Sequence, residues 1–389
     1  MRPIGSSEVL VSRTLSSIFY SMIPFINVRA QREAYLSEFK QAEQDVLDSG
    51  CFIGGPVVRA LESELAEFTG AKHAITCGSG TDALTIALLA LGLQPGDEVI
   101  VPDFTFIAPA ECVMRLGGIP KFADIDPETL QISVESIESL IGEKTRGIIA
   151  VNLFGQCAPY AEIQECARAN SLWLIEDSAQ AFGATQNGVP ACTFGDISIT
   201  SFYPAKPLGC YGDGGALFTA NDELAQKIRL IANHGSQMRY IHEICGMNSR
   251  LDAIQAAVLR VKLRHFKDEL KKRSENARKY SEFFNAVPGI APQEIANGNT
   301  STYAQYTVLA EDRKSFIEKL DDAKIPYCIH YPQPLHTQPC FKGLVQACES
   351  ASRDGASNAM EACQKAVSLP FCAFTDVDEI IARLRKTTF

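Results

Sequence analysis

The chain has 389 residues, 46% of them apolar, which exceeds one ordinary domain and can fill a large core, so two domains are expected. A formal net charge of -10 with a pI near 5.2 argues against nucleic acid or an anionic membrane surface as the main partner. The thirteen cysteines, with no C-x-x-C pair, read as scattered thiols of a reducing, cytoplasmic compartment, and the six histidines form no metal-ligand pattern, so no metal is expected.

Residues 1–22 read as a tail, either disordered or lying upstream of the true start, and no segment approaches the roughly 20 apolar residues that span a bilayer. The first motif is CGSGTD at 77–82, a glycine-hydroxyl turn opening the apolar run 83–91. Free N–H groups at a helix start bind phosphate together with the helix dipole, and Ser79 and Thr81 can add hydroxyl contacts. Simple helix capping would use the same residues. Apolar strands at 98–101, 147–151, 172–175, 197–201 and 216–219 alternate with helical segments, which predicts an α/β fold with a mainly parallel sheet flanked by helices.

The strand at 172–175 runs into EDSAQ at 176–180, placing an acid at the carboxyl end of a parallel strand, where open α/β sheets bind ligands. A carboxylate there can pair with a protonated pyridine nitrogen. Alternation along the strand lets only one of Glu176 and Asp177 face such a ring. Lys206 follows the strand at 197–201 in SFYPAKPLG, with Gly209, Gly212, Gly214 and Gly215 close behind. Pro207 biases Lys206 toward an extended backbone, and burial lowers an amine's pKa until it can form a Schiff base. A phosphate-binding turn, a strand-end acid and a lysine before proline, in that order, specify pyridoxal phosphate better than any one of them does.

A helical stretch at 256–284 carries Lys262, Arg264, Lys267 and 271–273, read as a solvated face, and joins a large domain at 23–265 to a smaller α/β domain at 266–389. In the smaller domain, 305–309, 313–323 and 327–331 read as strand, helix and strand.

Five segments carry a resemblance that covers nearly the whole chain after about residue 22: CFIGGPVVRALESELAEFTGAKHAITCGSGTDAL, PGDEVIVPDFTFIAPAE, IEDSAQAFGA, TSFYPAKPLGCYGDGGA and GMNSRLDAIQAAVL. They resemble sugar-nucleotide aminotransferases of the DegT and StrS group, pyridoxal phosphate enzymes of fold type I. The resemblance implies that Lys206 is the Schiff-base lysine, that Asp177 partners the pyridine nitrogen and that Gln180 lies near the ring's 3-hydroxyl. It places Gly80, Thr81 and Ser201 at the phosphate, Phe106 against the ring, and Asn248 at the phosphate of a neighbouring subunit, which implies a homodimer with shared active sites. Phe106 would otherwise be ordinary core. Asn152 departs from the family pattern, where histidine is frequent, and receives no role.

The C-terminal TYAQYTV and IHYPQPLHTQPCF are similar to enzymes that aminate UDP-2-acetamido-2-deoxy-3-oxo-glucuronate for O-antigen sugars, with L-glutamate as donor. That likeness makes His330 and Tyr331 substrate contacts. Arg250 suits a carboxylate, and a structural ion pair is its plain alternative. A dTDP-linked keto-deoxyhexose is the competing substrate, and a non-catalytic pyridoxal-phosphate-binding regulator the competing class.

Overall fold

The computed structural model describes residues 23–342 and 357–387, so the expected tail at 1–22 lies outside the described residues. The strands in chain order are β1 (His73–Cys77), β2 (Glu98–Pro102), β3 (Ile119–Ala123), β4 (Thr145–Val151), β5 (Trp173–Asp177) and β6 (Thr185–Gln186), followed by β7 (Val189–Pro190), β8 (Ile197–Ser201), β9 (Gly215–Thr219), β10 (Ile290–Pro292), β11 (Tyr306–Ala310) and β12 (Ala366–Leu369). Seven of them form one sheet in the order β1, β9, β8, β5, β4, β2, β3.

Side chains alternate between two cores along these strands. Val99, Val101, Ile149 and Ile175 pack under helices Gly80–Leu91, Ala108–Arg115 and Asp222–Ala232. Ile100, Ile148, Ala150 and Leu174 pack on the opposite face against helices Val134–Leu140 and Tyr160–Ala169. Burial on both faces is why the strands read as continuous apolar runs, the mark of a parallel sheet covered by helices. β3, β2, β4, β5 and β8 pair in parallel, and β9 is antiparallel to both β8 and β1. Two reversals restore direction, so β1 ends at the same edge as β2, β4, β5 and β8. That edge gathers the turns at 78–81, 103–106, 152–155, 177–180 and 201–206.

The helix Ala253–Phe284 has 32 residues, about 48 Å at 1.5 Å per residue. Its Leu259 and Phe266 enter a core with Phe182, Phe202 and Phe218, and its Ala277, Tyr280 and Phe284 enter another around β11 and β12. The charged face read as solvated is partly buried, because this helix packs on two cores. Lys262 and Arg273 are 2% and 3% exposed. Each has a neutral partner and the charge of the buried Glu269 nearby: Lys262 Nζ lies 4.6 Å from the Tyr211 ring centroid, and Arg273 Nη1 donates to the Tyr303 carbonyl at 3.0 Å.

β10, β11 and β12 form a second, antiparallel sheet. The strand expected at 327–331 is not one. Only Cys328 bridges to Ser368, and Pro332 and Pro334, which lack N–H groups, follow at once, so the ladder cannot extend.

Candidate active site

The turn after β1 is built to leave donors free. Ser79 caps the helix Gly80–Leu91, its Oγ accepting from Asp82 N at 3.0 Å, while its carbonyl accepts from Ala83 N at 3.0 Å. The N–H groups of Gly80 and Thr81 remain as terminal donors of the helix. Gly80 must be glycine, because a Cβ there would lie 2.7 Å from Ser201 Cβ, at the end of β8. Gly215 has the same constraint, with a Cβ 2.6 Å from the Ser79 carbonyl. Ser249 pins the turn from outside: its Oγ accepts from Gly78 N at 2.9 Å and donates to Asp82 Oδ2 at 2.7 Å. Its neighbours Asn248 and Arg250 are exposed. Arg250 makes no ion pair with a described residue of the chain.

The two acids of β5 separate as alternation requires. Glu176 is fully buried and its carboxylate accepts five hydrogen bonds, from Asn152 Nδ2, Ser178 Oγ and Cys192 N to Oε1, and from Phe194 N and Ser198 Oγ to Oε2. No lone pair is left for a ligand. Among the described residues, Asp177 accepts a single hydrogen bond, from Ala179 N at 2.9 Å. It is 5% exposed, and burial pushes its carboxyl up to about 6, opposed by that hydrogen bond and by the charge of Lys206.

Lys206 closes a turn after β8, its N–H donating to the Tyr203 carbonyl at 2.8 Å. The return of the chain depends on Gly209, where a Cβ would meet that same carbonyl at 2.5 Å. The half-buried amine makes no hydrogen bond to a described residue. Burial lowers its pKa while the Asp177 charge pulls the other way, so the amine and the acid share one crevice.

Phe106 is 54% exposed, which removes it from the core and leaves a ring face available at the rim. Gln180 is buried and oriented from two sides: Oε1 accepts from Phe154 N at 2.9 Å and Nε2 reaches Tyr331 Oη at 3.4 Å. Tyr331 stacks on Phe154 with 6.5 Å between ring centroids. His330 Nδ1 meets Ser368 Oγ at 2.9 Å, and burial, with the nearby Lys206 charge, depresses this imidazole to about 4. The structure thus brings Lys206, Asp177, Gln180, His330 and Tyr331 together, and Gly80 to Ser201.

Three features went unread in the sequence. Asn152 bridges the ends of β4 and β5: its Nδ2 donates to Glu176 and to Ser178, and its Oδ1 accepts from Ala158 N and Tyr160 Oη. An asparagine just past an apolar strand was the available signal. Asp103 binds His336 twice, accepting from His336 N at 2.9 Å and pairing with Nδ1 at 2.5 Å, which raises the imidazole's pKa and ties the loop before Phe106 to the distant 335–336 segment. The third is Ser368 behind His330, a contact between distant segments with no local sequence mark.

Terminal helix donors beside Gly80, an acid at Asp177, an amine at Lys206 and an exposed ring at Phe106 all lie on one edge of the sheet. This set fits a flat ligand with a phosphate, a ring nitrogen and an aldehyde, which is pyridoxal phosphate. The fold and the crevice define a pyridoxal-phosphate-dependent aminotransferase of fold type I.

The family model for DegT/DnrJ/EryC1/StrS aminotransferases matches residues 34–385. The UDP-2-acetamido-2-deoxy-3-oxo-D-glucuronate aminotransferase of Pseudomonas aeruginosa is 46% identical over 82% of this chain and 88% of its own length. The dTDP-3-amino-3,4,6-trideoxy-alpha-D-glucose transaminase of Streptomyces venezuelae is 37% identical over 82% of this chain and 85% of its own. Among solved structures, NtdA of Bacillus subtilis with bound cofactor PMP superposes with a TM-score of 0.84 at 30% identity, covering 94% of this chain and 85% of that one. The chain belongs to the DegT/DnrJ/EryC1/StrS aminotransferase family.

Proposed function

We propose that the chain transfers the amino group of L-glutamate to a UDP-linked keto sugar, UDP-2-acetamido-2-deoxy-3-oxo-glucuronate, in O-antigen and lipopolysaccharide synthesis. The observation that carries the chemistry is the Lys206 amine beside the buried Asp177 carboxyl in one crevice. Bound there, pyridoxal phosphate supplies an electron sink and carries the amino group from donor to acceptor. Asp177 holds the proton on the ring nitrogen. Lys206 Nζ, its pKa lowered by burial, takes a proton from the donor's Cα and returns one to the sugar carbon. Gly80, Thr81, Ser79 and Ser201 hold the phosphate, Phe106 covers the ring, and Gln180 meets its hydroxyl.

The UDP-linked uronate is favoured over a dTDP-linked deoxyhexose by the greater likeness to the P. aeruginosa enzyme and by Arg250, an exposed cation whose backbone lies against the Gly78 turn. Arg250 takes the uronate carboxylate, with His330 and Tyr331 as further sugar contacts. Asn248, exposed beside the same turn, serves the phosphate of a second copy, so the working unit is a homodimer with shared sites. The proposed large domain, 23–265, carries the cofactor groups, and the proposed small domain, 266–389, supplies His330 and Tyr331. Cytoplasmic placement agrees with the absence of disulfides among the described cysteines.

The test is an amination assay with L-glutamate across UDP- and dTDP-linked keto sugars, read by product mass. The UDP-3-keto uronate should be the best acceptor, and preference for a dTDP-deoxyhexose would refute the assignment.

A further inference from the structure

His330 stands at the end of a buried hydroxyl chain. Its Nδ1 lies 2.9 Å from Ser368 Oγ, and Ser368 Oγ lies 2.9 Å from Thr307 Oγ1. Ser368 on β12 is fully buried and Thr307 on β11 is 3% exposed, so neither hydroxyl can turn to water. The strands fix both: Thr307 and Ser368 are register partners of the β11 and β12 pair, and Cys328 N donates to the Ser368 carbonyl at 3.0 Å, drawing the His330 segment alongside.

Counting hydrogens gives the chain a direction. Each hydroxyl has one hydrogen to place, and a buried donor left without an acceptor is costly. If Nδ1 carried the ring hydrogen and donated to Ser368, Ser368 would donate to Thr307, and the Thr307 hydrogen would find no acceptor among the described residues. In the opposite direction Thr307 donates to Ser368, Ser368 donates to a bare Nδ1, and every buried hydrogen is used. The ring hydrogen then sits on Nε2, which hydrogen-bonds to no described residue. Burial, with the positive charge of Lys206 nearby, keeps the ring from taking a second proton.

We propose that Thr307 and Ser368 form a relay that locks His330 in the Nε2–H tautomer, so that it meets the substrate as a hydrogen-bond donor to an oxygen. His330 is then no proton acceptor in the reaction, and Ser368 is a positioning residue acting through it. The oxygen class it selects is a carbonyl, hydroxyl or carboxylate of the acceptor, which rests on the reading of His330 as a sugar contact.

The experiment is nitrogen-15 NMR of the histidine-labelled holoenzyme, with the His330 resonances assigned by comparison with His330→Gln. The Nδ1 signal should fall with bare ring nitrogens and the Nε2 signal with protonated ones. Ser368→Ala should shift both signals toward a mixture, while Thr307→Ser and Thr307→Val should both leave them in place, because in either variant a hydrogen on Nδ1 would still strand a buried hydroxyl hydrogen. Glutamine carries its amide nitrogen near the position of Nε2 and asparagine near that of Nδ1. His330→Gln should therefore bind the keto sugar better than His330→Asn, by roughly two- to tenfold in KM, the worth of one neutral hydrogen bond. A protonated Nδ1 in the wild type, or an asparagine variant superior to the glutamine one, overturns the relay. An Nε2–H tautomer in an enzyme that aminates no sugar upholds the relay and refutes the substrate reading.

Discussion

Asp177→Asn sets burial against charge pairing in one side chain. In the cofactor-free protein, burial lifts this carboxyl from 3.8 to about 6, even with the Ala179 N–H and the Lys206 charge pulling it down. At about 1.4 kcal/mol per pH unit, the ionised carboxylate then costs the folded state about 3 kcal/mol at pH 8. The sign follows from proton binding. The folded chain holds this proton more tightly than the unfolded chain, so the cost is absent below the unfolded value, grows across the window from 3.8 to about 6, and is complete above it. Asparagine keeps an oxygen for Ala179 N and brings no charge. Cofactor-free Asp177→Asn should therefore exceed the wild type in stability by up to about 3 kcal/mol at pH 8 and by roughly half that at pH 5, read from urea unfolding at both values. Transamination by the same variant should collapse, because an amide cannot hold a proton on the ring nitrogen. A wild type as stable as the variant at pH 8 would show that pairing with Lys206 outweighs burial, and the reasoning would be refuted.

Glu176→Gln, one residue away, should do the reverse: its amide NH2 would face Phe194 N–H in place of an accepting oxygen, costing about 3 kcal/mol in unfolding experiments while cofactor binding persists. A variant as stable as the wild type would contradict that. Purified protein should be yellow, with borohydride fixing the cofactor to the Lys206 peptide, and a Lys206→Ala protein that still aminates sugars would sink its role. Mixing inactive Lys206→Ala with inactive Asn248→Ala subunits should restore part of the activity, whereas a fully active monomer in sedimentation would exclude shared sites. Arg250→Met should weaken binding of the 3-keto uronate by about ten- to a hundredfold, the worth of roughly 1.5 to 3 kcal/mol, and spare a sugar with CH2OH at C6. Equal loss with all sugars, confined to the glutamate half-reaction, would assign Arg250 to the donor.

What could be read in the sequence was whatever chemistry sits next to its own structural cause. The apolar runs at 147–151 and 197–201 are strands because both faces are covered, and the runs end where the sheet ends, so the residues that follow them fall at the crevice. Lys206 and Asp177 are legible for that reason, and Ser79 because an N-cap precedes its own helix. The β1 strand His73–Cys77 was passed over although it delivers that turn: five residues ending in a cysteine and pairing only at an edge leave a weak local signal.

The pairings that decide orientation are of another kind, because they join residues whose separation in the chain hides them. His336 lies 233 residues from Asp103, and Ser368 lies 38 from His330. Composition says nothing of either. The same limit explains the long helix, where a run of lysines and arginines is indistinguishable from a solvated face until two cores close over it. Lys262 and Arg273 are tolerated there because one gains an aromatic face, the other a carbonyl, and both the nearby charge of the buried Glu269. A charge count along a helix therefore measures exposure only when a single face is packed, and this helix, bridging two cores, violates that condition at the residues facing both.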